Sequence, residues 1–188
     1  MKKQTSEKRV LRNRRGKQLS LSLQRCDETH LTQILELQER VCRGMPRKEL
    51  FVSTGEEELR ESLAMDYCLG AFAGDRLAMF TLMIVNRETP RSLGHALGYD
   101  SERLRRTVTF DSTFVSPEHR GYGLQSLALP LKEREAAAMG AREALASVSP
   151  ENTQSLNNLL AGGFRILSRQ ELYGGVDRYI VGKTLGKE

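Results

Sequence analysis

Strict alternation of apolar and polar residues marks residues 18–25, where Leu19, Leu21 and Leu23 fall on one face. A period of two predicts a half-buried strand. The pattern then shifts to helical spacing. Asp27 is a candidate cap, and Leu31, Ile34, Leu35, Val41, Cys42 and Met45 predict a helix running up to Pro46. Thr54 and Glu57 have capping-box spacing and predict a second helix through Leu59 and Leu63. Residues 67–73 and 77–85 read as a hairpin turning at Ala73-Gly74-Asp75, its second strand apolar enough to be buried on both faces. Residues 86–106 are polar, with Pro90, Gly94 and Gly98, and predict a long connection that is either functional or mobile. Arg103, Arg105 and Arg106 end it.

The next stretch organises the chain. Thr107, Val108, Thr109, Phe110, Thr113, Phe114 and Val115 predict a strand that stops at Ser116-Pro117. Arg120-Gly121-Tyr122-Gly123 then leads into a helix whose inner face is Leu124, Leu127, Ala128 and Leu131. Pro130 lies inside that helix, costs about 3 kcal/mol there and predicts a kink or an early break. Residues 141–148 read as a strand. Ser149-Pro150 is a cap with proline at the first helical position, and Leu156, Leu159 and Leu160 line a short helix that stops at Gly162-Gly163. Residues 164–172 and 178–185 are closing strands joined by Tyr173-Gly174-Gly175. The order β-α-α-β-β-β-α-β-α-β-β, without internal repeat, predicts an α/β (α+β) class: a mixed, mostly antiparallel central sheet flanked by helices.

Composition changes this picture in one place. The chain of 188 residues has a net charge of +5, but residues 1–19 hold eight basic residues against Glu7 alone, a balance of +7 that leaves −2 for the rest. The domain is therefore expected at 18–188, with 1–17 a basic, disordered tail. Such a tail could bind nucleic acid, but it has no interleaved aromatic residues on which bases would stack. No apolar run approaches the length of a membrane span, and the charged N-terminus has no apolar core of the secretory kind. Cys26, Cys42 and Cys68 are odd in number and lack C-x-x-C spacing, which fits reduced thiols and a cytoplasmic location. His30 and His95 have no partners at metal-ligand spacing, so no metal is expected.

Strand, glycine turn, helix is an arrangement that presents unpaired backbone N–H groups to an anion. A tight turn that needs two glycines for shape alone is the alternative. The dinucleotide pattern G-x-G-x-x-G would need glycine where Ser126 stands. The P-loop pattern fails before Gly182-Lys183-Thr184, because its first glycine position holds Asp177. Val115-Ser116-Pro117 followed by Arg120-Gly121-Tyr122-Gly123-Leu124 resembles instead the acyl-CoA turn of the GNAT superfamily of N-acetyltransferases, commonly written Q/R-x-x-G-x-G/A after a strand ending in V-x-P. Glu118 departs from the usual Gln or Arg, and Gln125 from the usual small residue. A second block, Pro150-Glu151-Asn152-Thr153-Gln154-Ser155 with Gly163-Phe164, is similar to that family's P-x-N-x-x-A…G-F block. Leu159 stands where many relatives have tyrosine. The resemblance covers about residues 18–186.

The resemblance implies acetyl-CoA as acyl donor and direct acyl transfer to an amine, small molecule or protein, in a monomer or homodimer. It implies that the strand before the turn splays from its neighbour, so that main-chain atoms of Phe114 and Val115 bind the pantetheine arm. The pyrophosphate would sit on the N–H groups of Arg120, Gly121, Tyr122, Gly123, Leu124 and Gln125. Asn152 either holds the pantetheine or only caps its helix. A general base is needed because a protonated amine has no lone pair to attack with. Asp111, within the strand, is the candidate base, or else it pairs with an arginine such as Arg106. Tyr173 and Tyr179 are candidate acids, or else packing residues. Acceptor specificity is expected in residues 43–55, 86–106 and 170–178. A non-catalytic acyl-CoA-binding module and a nucleic-acid-associated modifier that uses the tail are the competing readings.

Overall fold

The computed structural model describes residues 6–45, 47 and 50–186. Eight strands form one sheet in the order β1-β2-β3-β4-β5-β6-β8-β7. They are β1 (Glu7–Arg12), β2 (Gln18–Arg25), β3 (Tyr67–Ala73), β4 (Arg76–Ile84), β5 (Thr107–Val115), β6 (Glu143–Val148), β7 (Arg165–Leu172) and β8 (Val176–Thr184). The helices are α1 (Leu31–Arg43), α2 (Glu56–Met65), α3 (Ser101–Leu104), α4 (Leu124–Ala138) and α5 (Thr153–Ala161). The expected mixed, mostly antiparallel sheet with helices is present. β5 and β6 pair in parallel, and the intervening α4 is the crossover that such a pair requires.

Contacts group the chain into two compact units. The first comprises Met1–Pro46, Ser53–Leu82 and Ser112–Ala128; the second comprises Arg47–Val52, Met83–Asp111 and Leu129–Glu188.

In the first unit the stretch expected as a disordered tail is in part a strand. β1 pairs antiparallel with β2 from Glu7↔Leu23 to Arg12↔Gln18. The hairpin is closed by the Asn13 side chain, which accepts from the N–H groups of Arg15 and Lys17 at 3.0 Å each, and by Gly16 at φ +76°. Five of the six β1 residues are exposed, so no apolar periodicity announces the strand; the backbone ladder makes it. Exposed charges along the outermost strand also discourage a further strand from adding there. Lys2 and Lys3, the start of the expected tail, lie outside the described residues.

Asp27 caps as expected, but its side chain serves a single helical turn at Glu28–His30 that precedes α1. α1 buries Ile34, Leu37 and Val41. Its expected terminus at Pro46 lies outside the described residues. The expected Thr54–Glu57 capping box is displaced by one residue: α2 starts after Gly55, whose N–H donates to the Glu58 carboxylate at 3.3 Å. Thr54 is recruited elsewhere because Gln38 of α1 is buried and needs partners. The Gln38 amide donates to the Thr54 carbonyl at 3.0 Å and accepts from the Thr54 N–H at 2.9 Å. The β3–β4 hairpin turns at Gly74, φ +60°.

In the second unit the long connection 86–106 is more ordered than its composition suggests. It carries a helical turn at His95–Leu97 and the short α3, capped by Asp100. It is tied down by the Leu93 N–H to the Thr109 hydroxyl at 3.1 Å and by the Asn86 amide to the Arg105 carbonyl at 2.9 Å. The Tyr99 hydroxyl donates to Glu143 at 3.0 Å, and Arg103 stacks on the Tyr99 ring at 3.5 Å while also pairing with Glu143. Pro130 does not break α4, which continues to Ala138. The Ser149-Pro150 pair does not start α5; Asn152 caps it, and the helix begins at Thr153. Gly182, part of the rejected P-loop pattern, has a packing reason instead. A Cβ there would meet Leu167 at 2.5 Å and Leu145 at 3.1 Å. Leu93, Leu145 and Ile180 form a buried cluster, and Phe110 packs on Phe164 at 5.7 Å.

Two expectations test this packing. Gln38→Leu strips both partners from a buried backbone segment and should lower unfolding free energy by about 2 kcal/mol, read by urea denaturation. Cys26 and Cys68 are buried free thiols, and burial together with the neighbouring Cys68 pushes the Cys26 thiol up to about 12. Aromatic-disulfide labelling at pH 8 should therefore reach only Cys42 in the native protein and all three thiols in guanidinium.

Candidate functional site

The glycine turn belongs to the first unit. β5 ends at Val115, and the Ser116 N–H donates to the Ala78 carbonyl at 2.9 Å, which anchors the strand end on β4. Phe114 is fully buried against Phe80, with ring centroids 5.7 Å apart. The chain then makes a helical turn at Pro117–His119. Gly121 at φ +83° and Gly123 at φ +76° carry it to the start of α4. Both lie in the left-handed region that side chains resist. An added Cβ at either would meet nothing within 4 Å, so backbone conformation rather than crowding requires glycine there. The first-turn N–H groups of α4 have no acceptor within the helix, and its positive end points into the same turn.

Three sequence expectations about this turn are refined. The Arg120 N–H, expected to face a phosphate, donates to the Pro117 carbonyl at 3.3 Å instead. Leu124 is buried as part of the inner face of α4, so only its main chain can contribute to a ligand. Glu118, the residue at odds with an anion site, accepts from the Ser116 hydroxyl and lies 3.7 Å from Arg40. The Ser116 hydrogen bond holds its carboxyl below the usual range. Burial keeps the neighbouring His119 below its usual value, with the ring 3.2 Å from the same hydroxyl.

The second unit holds the candidate catalytic groups. β5 pairs with β6 at Thr107↔Glu143, Val108↔Ala144 and Thr109↔Leu145. β5 itself runs on to Val115 and β6 to Val148. Asp111 follows the paired segment. Its carboxylate lies 3.7 Å from the Arg91 guanidinium, both side chains being mostly buried. The expected partner Arg106 pairs with Glu102 at 3.0 Å instead. Five residues along a strand put Arg106 and Asp111 on opposite faces and about 16 Å apart, which excludes the contact.

Tyr173 is joined to this group. It occupies the left-handed region, φ +53°, as the first of three consecutive positive-φ residues with Gly174 and Gly175. For a tyrosine that conformation costs about 1–2 kcal/mol. Its hydroxyl is held 2.8 Å from the Ser147 hydroxyl. The residue is half exposed, yet burial around its phenol raises the pKa above the usual value. The Ser147 hydrogen bond and the charges of Arg178 and Arg91 pull it back, while Asp111 pushes it further up. Tyr179 does not share this setting. It stands between Val148 and Arg169 in the sheet, with its ring under the Arg169 guanidinium at 5.7 Å.

Asn152 is the N-cap of α5. Its side-chain oxygen accepts from the Ser155 N–H at 3.1 Å, so the capping alternative describes that oxygen, and the amide NH2 is the half of the side chain that the cap does not use. Leu159 is buried in α5.

Arg91 beside Asp111, Ser147 and Arg178 beside Tyr173, and Lys132 over the ring of Phe110 were not singled out by the sequence. Lys132 carried a readable signal. It sits four residues from Ala128 and four from Ala136, and all three are buried, so it lies on the apolar stripe of α4. Arg91 sits in an irregular connection, and nothing periodic marks it. The two phenol neighbours give opposite expectations. Ser147→Ala should raise the Tyr173 titration midpoint further, and Asp111→Asn should lower it, read from the ring-carbon NMR shift of labelled tyrosine.

No family model matches the sequence, and no curated protein sequence matches it. Solved structures do match the fold. A GNAT-family acetyltransferase from Streptococcus pneumoniae is 19% identical, has a TM-score of 0.68, and matches over 88% of this chain and 99% of its own. The Salmonella typhimurium protein yncA, solved with its cofactor acetyl-CoA, is 17% identical with a TM-score of 0.67, over 89% of this chain and 95% of its own. The ribosomal-protein-S18-alanine N-acetyltransferase of Escherichia coli is 13% identical with a TM-score of 0.66, over 89% and 96%. The chain has the fold of the GNAT acetyltransferases.

Proposed function

We propose that this protein is a GNAT-type N-acyltransferase that moves an acetyl group from acetyl-CoA directly to an amine. The observation that carries the reading is the turn of Gly121 and Gly123, held at positive φ between the end of β5 and the first turn of α4. Main-chain N–H groups from Gly121 to Gln125 would hold the pyrophosphate, with the Arg120 side chain beside it. The main chain of Phe114 and Val115 would bind the pantetheine arm. Glu118, turned toward Arg40 and Ser116, is compatible with an anion in the turn.

In the transfer the amine nitrogen bonds to the acyl carbon, the C–S bond breaks, and the amine loses a proton. Asp111 is the base in this reading. Tyr173, hydrogen-bonded to Ser147, returns a proton to the departing thiolate. A phenol above its usual pKa is protonated at neutral pH and can donate. No helix among the described residues is long and apolar enough to cross a membrane. The reading places the enzyme in the cytoplasm, acting on a small-molecule or protein amine.

One observation favours a second reading. Leu159 is buried and apolar where the resemblance leads one to expect a proton-donating tyrosine, as in a module that binds acyl-CoA without turnover. Thiol release from acetyl-CoA against an amine panel separates the two: binding without release defeats the enzyme.

Gly121→Val and Gly123→Val should each weaken CoA binding at least about tenfold by calorimetry, since each strains the backbone that presents the donors. Unchanged affinity would remove the pyrophosphate from this turn. Asp111→Asn should lower kcat by about 100-fold or more and flatten the acid limb of the pH–rate profile. A profile that keeps its shape would remove Asp111 as the base.

A further inference from the structure

The glycine turn carries a carboxylate that should repel the anion read there. Glu118 stands three residues before Gly121, in the helical turn Pro117–His119. The group that faces it comes from α1, remote in sequence but part of the same unit. The Arg40 guanidinium lies 3.7 Å from the Glu118 carboxylate. That separation is too long for a hydrogen bond. Arg40 is half-buried and Glu118 exposed, and an ion pair in such a setting is held weakly. Glu118 has a nearer partner in the Ser116 hydroxyl, whose oxygen is also 3.2 Å from the His119 ring. Arg40 has the opposite shortage. Its Nε–H is out of water and meets no hydrogen-bond acceptor among the described residues. A buried donor without an acceptor is unfavourable, so Glu118 faces this guanidinium without satisfying it.

We propose that Arg40 is a cofactor-binding residue of the glycine turn: its guanidinium exchanges the Glu118 carboxylate for an oxygen of the CoA pyrophosphate. The inference rests on the reading of residues 121–125 as the pyrophosphate site. The chemistry of the two partners favours the exchange. A guanidinium is a planar fork of donors that matches a phosphate bidentately and keeps its charge at every working pH. The turn's main-chain N–H groups offer only partial charges, so Arg40 adds a full positive charge to the site. Glu118 keeps its hydrogen bond from Ser116 when Arg40 turns away. In the unliganded protein the pair has a definite role. It keeps the guanidinium at the turn and neutralises a carboxylate that would otherwise oppose the incoming anion.

Calorimetric titration of the full-length protein with CoA tests the exchange. Arg40→Gln should weaken binding about tenfold or more. Glu118→Gln should tighten it about threefold or more, a gain that a damaged fold cannot produce. The double variant separates contact from mere neutralisation. If Arg40 meets the pyrophosphate, Arg40→Gln weakens CoA binding by about tenfold again in Glu118→Gln protein. If Arg40 only neutralises Glu118, its loss has no effect once the carboxylate is gone, and the proposal is overturned. An affinity that Glu118→Gln leaves unmoved overturns it as well. 3′-Dephospho-CoA keeps the pyrophosphate and lacks the 3′-phosphate, so it should show the same loss in Arg40→Gln; a loss confined to CoA overturns the assignment to the pyrophosphate. Thermal melting without ligand confirms that each variant is folded. A wild-type protein that binds CoA and loses it in Gly121→Val, yet is indifferent to Arg40→Gln, keeps the reading of the turn and loses this inference alone. A wild-type protein that binds no CoA loses both.

Discussion

Two parallel strands cannot be joined by a hairpin, and this constraint sets the architecture around the site. β5 and β6 pair in parallel, so the chain must leave the end of β5, cross one face of the sheet and return. The crossover is α4, and its entry is the glycine turn. A helix entered from such a turn begins with N–H groups that its own ladder does not use, at the positive end of its dipole. The feature read as a phosphate cradle is therefore a consequence of topology made tighter by two glycines in the left-handed region.

Charge burial is the second governing term. Lys132 and Arg178 are almost wholly removed from water, and burial depresses the pKa of both. Groups of this kind cost stability unless something compensates them. Near them stand a carboxylate, two hydroxyls and an aromatic face: Asp111, Tyr173, Ser147 and Phe110. A tyrosine in a left-handed conformation adds a further local cost. A fold selected for packing alone has little reason to gather these groups. Their concentration around one strand is what separates this region from the apolar cluster of Leu93, Leu145 and Ile180 in the same unit.

The sequence was legible where periodicity or backbone restriction speaks for itself. Leu19, Leu21 and Leu23 gave β2 its bounds, the β-branched run gave β5, and Gly121 and Gly123 marked the turn. It was illegible where a partner far along the chain decides. β1 has almost no apolar face and exists because β2 offers it a ladder. Thr54 left its expected capping role because buried Gln38, sixteen residues earlier, takes both of its backbone groups. Arg91 replaced Arg106 beside Asp111 because a strand turns Arg106 away and a connection brings Arg91 in.

The sequence by itself determined the order of most elements, the strand–turn–helix at residues 107–125, and the chemistry available there: a carboxylate, two conformationally free glycines and a helix start. These are local properties, fixed by residue spacing and φ preference within a few residues. Tertiary structure alone decided which groups act on one another. It set Asp111 against Arg91, held the Tyr173 hydroxyl on Ser147, turned Glu118 toward Arg40, and buried Lys132 under Phe110. Those outcomes depend on burial and on distances between residues remote in sequence, and no local pattern encodes the electrostatic environment that burial creates.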